Sequence, residues 1–285
     1  MSSASSKPGD ESLEAVALRA REGDRLALEE LVRALQPQVY TLAQRFLWHP
    51  EDAEDASQEI LVRVITGLGG FRGESGLRTW VYRIACNTLL TLKEKRMEGR
   101  AMSFQEFGED LARGQAEAPL ALPAGVEESL LLEEVKIGCT LALLLCLDRP
   151  RRLAYILGEI LELDHREGAE VLQVTPATFR KRLSRARASV SAHFEAHCGL
   201  TNPANSCRCR RRLAAALELG RVDPENLLFA YSLAQARRFP QVLAEIRRLE
   251  ATRRAAALYR SQPPPEPSPG FVRWLQELLA SGSGL

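Results

Sequence analysis

Apolar residues recur every three or four positions along most of this chain, which is the period of an amphipathic helix. Leu26, Leu28, Leu31, Val32 and Leu35 line one helix; after Pro37, Val39, Leu42, Ala43, Phe46 and Leu47 line a second. Ala53, Ala56, Ile60, Leu61, Val64 and Ile65 line a third. A Gly-rich stretch runs from Gly67 to Gly76, and then Leu77, Trp80, Val81, Ile84, Ala85, Thr88, Leu89 and Leu92 mark four further turns. The pattern predicts one compact helical unit over 13–97, behind a small, polar tail over 1–12 that reads as disordered. Residues 98–126 lose the period and hold Gly, Pro, Gln and acids, the composition of an acidic linker. The period returns over 127–195. Beyond it, helix-like stretches near 208–219 and 227–258, a Pro-rich spacer (Pro263 to Pro269) and an amphipathic segment Phe271–Ala280 form a C-terminal extension over 196–285. The fold class expected is all-α: two helical domains joined by a linker, plus a mostly helical extension.

The sharpest local signal lies between Asp164 and Val190. Asp164 and Glu167 stand three apart, as a capping box requires, and the short helix they open ends at Val171 and Leu172. Gln173 and Val174 form a turn, at a place where glycine would take a left-handed conformation more easily. Thr175 then caps a second helix, with Pro176 at its favoured first position. Phe179, Leu183 and Ala186 face inward, while Arg180, Lys181, Arg182, Arg185 and Arg187 face outward with no acid between Thr175 and Ser191. This is the layout of a helix-turn-helix. Its second helix would present Thr175, Ala177, Thr178, Arg180, Lys181, Ser184, Arg185 and Arg187 to bases and phosphates of a major groove. Gly168, inside the first helix, costs about 1 kcal/mol relative to Ala.

Charge adds a second feature. Lys and Arg number 38 against 37 Asp and Glu, a net charge of +1, which taken alone argues against a uniformly basic coat for nucleic acid. The sum conceals separated patches. Arg180–Arg187 and Arg208–Arg212 are basic, whereas Glu51–Glu59 and the 103–134 stretch are acidic. Asp52, Asp55 and Glu59 fall at i, i+3 and i+7 and, with Gln58, make one polar face, either solvated or a docking surface for a basic helical partner. Aromatics are 6%, and Leu, Ala, Glu and Arg dominate, a balance that favours helices. The longest apolar run, Leu141 to Leu147, is too short to span a bilayer, and no export signal opens the sequence, so a cytoplasmic location is expected.

Two blocks in order, EDAEDASQEILVRV with FRGESGLRTWVYRIACN, and LDRPRRLAYILGEILELDHREGAEVLQVTPATFRKRLSRARASV, resemble regions 2 and 4 of bacterial sigma factors of the extracytoplasmic-function class. The resemblance implies a non-enzymatic initiation factor that binds core RNA polymerase through the β′ clamp helices and the β flap. It implies that Asp52, Asp55, Gln58 and Glu59 dock on the polymerase clamp. It assigns Phe71, Arg72, Ser75, Arg78, Tyr82, Arg83 and Asn87 to the promoter −10 element; Trp80 stands at a family-typical position, but its place on the apolar stripe puts it in the core. It assigns the helix-turn-helix residues to the −35 element and the acidic linker to the nascent-RNA channel, and it admits an anti-sigma factor as a further partner. The sequence departs from the family at Thr91, Leu92, Lys93 and Glu94, at Gly168 where Ile is usual, and in the unusually apolar run Leu143–Leu147.

The segment HFEAHCGLTNPANSCRCRRR stands outside both blocks. His193, His197, Cys198, Cys207 and Cys209 are candidate ligands for Zn or Cu, because three thiolates and one imidazole suit a tetrahedral, thiophilic ion. Arg208 and Arg210–Arg212 nearby are expected to lower the thiol pKa values. Cys86, Cys139 and Cys146 lie on apolar stripes and are expected in the core. Two other readings stay open from the residues alone: an independent helix-turn-helix regulator of operators, and a metal or redox sensor centred on the extension.

Overall fold

The computed structural model describes residues 12–73, 75–93, 99, 101–114 and 127–281. The tail over 1–11, Glu74, most of 94–100 and 115–126 lie outside that set. The first unit comprises α1 (Leu13–Arg21), α2 (Arg25–Leu47), α3 (Pro50–Gly67) and α4 (Leu77–Thr91). Asp24 caps α2 by accepting the Leu26 and Ala27 amides. The two helices expected on either side of Pro37 are one: α2 runs through the proline. Proline removes one backbone hydrogen bond and normally kinks a helix. Here the buried stripe continues across it, from Leu31, Val32 and Leu35 to Val39, Leu42 and Phe46, so packing holds both halves to a common core.

The expected linker also contains a helix. α5 (Phe104–Arg113) opens with a Ser103–Glu106 capping box and buries Phe107 and Leu111 as it packs on the long helix that starts at Pro176. The second unit follows with α6 (Glu128–Leu145), α7 (Arg149–Tyr155, continued by a π turn over Ile156–Ile160), α8 (His165–Val171) and α9 (Pro176–His197). The extension adds α10 (Cys209–Glu218), α11 (Leu233–Arg248), α12 (Ala251–Arg260) and α13 (Pro269–Ser281). The single stretch expected over 227–258 is therefore two helices, divided after Arg248. No helix among the described residues is long and apolar enough to cross a membrane.

The apolar run ending α6 has a structural reason. A helix that is apolar on most sides must be enclosed on most sides, and α6 packs against α2, α10 and α11. Three of its charges, on Glu133, Glu134 and Lys136, are internal. Glu134 accepts the amides of Leu228, Phe229 and Ala230, each at 2.8 Å, although burial raises its pKa. Lys136 pairs with Glu133 at 2.6 Å and lies over the Phe239 ring. Trp48, ending α2 at φ 72°, donates its indole N–H to the Gly138 carbonyl and meets Phe229 edge-on. Arg152 donates to the Phe46 and Leu147 carbonyls. The C-terminal helix closes the other side of α2: Phe271 packs on Tyr40, and Arg25 donates to the Leu279 and Ala280 carbonyls. Both units and the extension thus share one apolar core.

Candidate nucleic-acid interface

The helix-turn-helix forms as its residues predict. Asp164 accepts the Arg166 and Glu167 amides at 2.6 and 2.9 Å, and Glu167 returns the bond to the Asp164 amide. Those amides hold the Asp164 carboxyl below its usual pKa. Gln173 takes φ 51°, the left-handed turn conformation. Thr175 Oγ1 accepts the Thr178 amide at 3.2 Å and starts α9. Phe179 and Ala186 are fully buried. Gly168 has a positive reason to be glycine: a Cβ there would lie 2.3 Å from the Phe179 ring. On the other side of α9, Thr175, Ala177, Arg180, Lys181, Ser184, Arg185 and Arg187 are exposed and Thr178 half-buried. The result is a rigid basic face that fits a phosphate-lined groove. Arg187 is already engaged, in an ion pair with Glu159 of the π turn.

In the first unit, some expected contacts face outward and others do not. Arg72, Arg78 and Asn87 are exposed, and Ser75 and Arg83 are half-buried. Phe71 and Tyr82 are buried at 3% and 5% exposure, so Tyr82 does not face outward as expected. Phe71 is held by the Trp80 ring at 5.3 Å, while Tyr82 shares the inner stripe of α4 with Cys86 and Leu89. Trp80 also packs where Gly67 leaves room, in line with its expected core role. On α3, Asp55 is exposed, Gln58 is half-buried and Glu59 pairs with Arg63. Asp52 is only 5% exposed, because it falls on the i, i+4 stripe of Ala56 and Ile60.

The helix-turn-helix and α4 touch. Arg83 of α4 forms an ion pair at 2.9 Å with Glu170 of α8, and Asn87 lies 3.4 Å from Gln173 at the turn. Arg149 donates to the Leu90 carbonyl in the last turn of α4 and to the Leu92 carbonyl just beyond it. Nothing in the local sequence pattern could announce this contact between residues more than eighty positions apart.

The cysteine segment folds as a tight return, with the backbones at Cys198 and Cys207 paired in an isolated β-bridge and the Gly199 amide donating to the Cys207 carbonyl. His193, Cys198, Cys207 and Cys209 line one cavity of about 30 Å³, together with Cys139 of α6, which sequence reasoning left simply in the core. His197 is absent from that lining and rests instead on Gly108 of α5. The thiol pKa values are raised, not lowered as the neighbouring arginines suggested. Burial pushes Cys209 up to about 12 and Cys207 to about 11, and outweighs Arg208 and Arg212. Burial also takes His193 down to about 4, helped by His197. All six cysteines are free thiols, and among the described residues no three His, Cys, Asp or Glu side chains are already arranged as a metal's ligands.

Comparison with known proteins identifies both units. The Sigma-70 region 2 family matches residues 31–98, and the Sigma-70 region 4 family matches residues 137–190. The RNA polymerase sigma-H factor of Pseudomonas aeruginosa is 30% identical over 178 residues, which cover 60% of this chain and 88% of that protein. The ECF RNA polymerase sigma-E factor of Escherichia coli K12 is 30% identical over 175 residues, with the same coverage. Among solved structures, CnrH in complex with the cytosolic domain of CnrY aligns at 25% identity and a TM-score of 0.45, over 64% of this chain and 96% of that one. Two sigma regions in their proper order, the second ending in a capped basic helix-turn-helix, make this chain a promoter-recognising RNA polymerase sigma factor of the extracytoplasmic-function class.

Proposed function

We propose that the two reading surfaces divide the promoter between them. The N-terminal half of α9, from Thr175 through Lys181, enters the major groove of the −35 element, and Arg180 and Lys181 are its main base and phosphate contacts. Ser184 and Arg185 continue along the phosphates. Arg72, Ser75, Arg78, Arg83 and Asn87 meet the −10 element, where unstacked bases gain guanidinium and amide contacts that offset the loss of stacking. Asp55, Gln58 and Glu59 dock on the β′ clamp helices, and the second unit meets the β flap. Polymerase performs the chemistry, in the cytoplasm, while this chain supplies recognition.

The observation that carries the reading is the exposed, acid-free face of α9 behind the Thr175–Pro176 start. Run-off transcription with purified core polymerase tests it. Arg180→Ala with Lys181→Ala should reduce promoter-specific transcript at least tenfold while core binding persists. Asp55→Lys with Glu59→Lys should remove core binding instead. Unchanged core binding by that second variant would refute the docking assignment.

A further inference from the structure

The last helix is fastened to the first unit at both ends. Glu54 of α3 accepts the Ser268 amide at 2.6 Å and the Ser268 hydroxyl at 2.9 Å, and that hydroxyl in turn accepts the Phe271 amide at the start of α13. Arg25, the first residue of α2, donates to the Leu279 and Ala280 carbonyls at 3.1 and 2.9 Å. An acid thus stands at the positive end of the α13 dipole and a guanidinium at the negative end. Between them Phe271, Leu275 and Leu279, at i, i+4 and i+8, are buried, and Phe271 lies on the Tyr40 ring. The stripe of α2 that carries Tyr40 is less well matched. Tyr40 is fully buried, and neither its hydroxyl nor the buried Nε2 of Gln36, one turn earlier, has a hydrogen-bond partner among the described residues. A buried polar atom left unpaired destabilises the closed arrangement, and water would satisfy it on opening.

We propose that α13 is a displaceable strap whose seat overlaps the face of α3 that docks on core polymerase, and that polymerase lifts it on binding. The inference rests on the docking role proposed above for Asp55, Gln58 and Glu59. Glu54 is the neighbour of Asp55 and stands one turn, about 5.4 Å, from Gln58. A helix with its side chains is about 10–12 Å across. A clamp helix centred on Gln58 therefore reaches as far as Glu54, where Ser268 is already bound. The strap also withholds Glu54 from the acidic face offered to a basic partner. Once lifted, the helix stays close. Tyr231 donates to the Pro264 carbonyl at 2.7 Å and accepts the Glu266 amide at 2.9 Å, so the Pro-rich spacer keeps α13 at a high effective concentration near its seat. Core affinity is then the intrinsic affinity scaled by the fraction of chains whose strap is open.

Trypsin cleavage after Arg273, an exposed residue of α13, reads the strap in the full chain. Adding core polymerase should speed that cut at least about fivefold, because a docked helix resists protease and a lifted one does not. Slower cleavage would put α13 inside the polymerase interface and overturn the proposal; an unchanged rate overturns it as well. In a second arm, Phe271→Asp drives the ring off Tyr40 and should lower the Kd for core polymerase at least about fivefold. Arg25→Ala removes only an exposed side chain that holds the last turn, and should lower the Kd by a smaller factor. It serves where Phe271→Asp fails to fold. A Kd that stays or rises in the folded variants overturns the strap. Asp55→Lys with Glu59→Lys separates the two readings. Core binding that survives those changes means that docking on α3 itself fails. Core binding that is lost, with a trypsin rate and a Phe271→Asp affinity that do not respond, leaves the docking reading standing and the strap refuted.

Discussion

Gly168→Ala sets two physical effects of opposite sign against each other at one position. Alanine in place of glycine in the middle of α8 gains about 1 kcal/mol of helix propensity. The new methyl would also stand 2.3, 2.5 and 2.8 Å from three carbons of the Phe179 ring. That ring is fully buried and cannot swing into solvent. Overpacking of a dense core costs about 1–3 kcal/mol, and contact with three ring carbons places this case near the top of the range. The net expectation is a loss of about 2 kcal/mol, roughly a thirtyfold fall in the folded-to-unfolded ratio. Urea denaturation of the full chain, followed by helical circular dichroism, measures it. Phe179→Leu removes the ring atoms, so adding Gly168→Ala to that variant should cost at least about 1 kcal/mol less than in the parent. A Gly168→Ala chain as stable as the parent would show that the ring has room, and the packing argument would fail.

Glu134→Leu leaves the amides of Leu228, Phe229 and Ala230 without their acceptor, and should cost about 3 kcal/mol or more; hydrogen exchange at those amides should quicken first. Asp110 accepts bonds from Arg212 and Arg221, and the Arg221 bond is the main reason its pKa lies below 3.8. Its stabilising effect is therefore complete above pH 3.8 and lost as pH falls through the lower folded value. Asp110→Asn should flatten that acid-side decline, and a decline of unchanged steepness would show that the pair contributes nothing. Glu170→Ala removes a partly exposed ion pair and should change stability by less than about 1 kcal/mol, yet it should raise crosslinking of α4 to a −10 probe, because Arg83 is freed.

Local rules made much of this fold legible. The Asp164–Glu167 box, the left-handed Gln173 and the Thr175–Pro176 start are each written in adjacent residues, and each appears where the spacing put it. α5 was written too, in Ser103–Glu106 and in Phe104, Phe107 and Leu111 at i, i+3 and i+7, but the Gly, Pro and acidic residues around it masked the signal. Pro37 misled because its local cost is real and is offset only by packing from other helices. The buried positions of Asp52, Phe71 and Tyr82 depend on which of two adjacent stripes meets a neighbour, and a polar or aromatic side chain fits either. Cys139 enters the thiol cavity across some sixty residues of chain, a distance over which no spacing rule operates.

The Arg83–Glu170 contact bears on how such a chain spends its time before it meets polymerase. While that pair and the Asn87–Gln173 neighbour hold, Arg83 is engaged by the helix-turn-helix and withheld from the proposed −10 contacts, while Arg72, Arg78 and the α9 face stay exposed. On that proposal, what Arg83 adds to DNA binding is scaled by the fraction of time its pair with Glu170 is open.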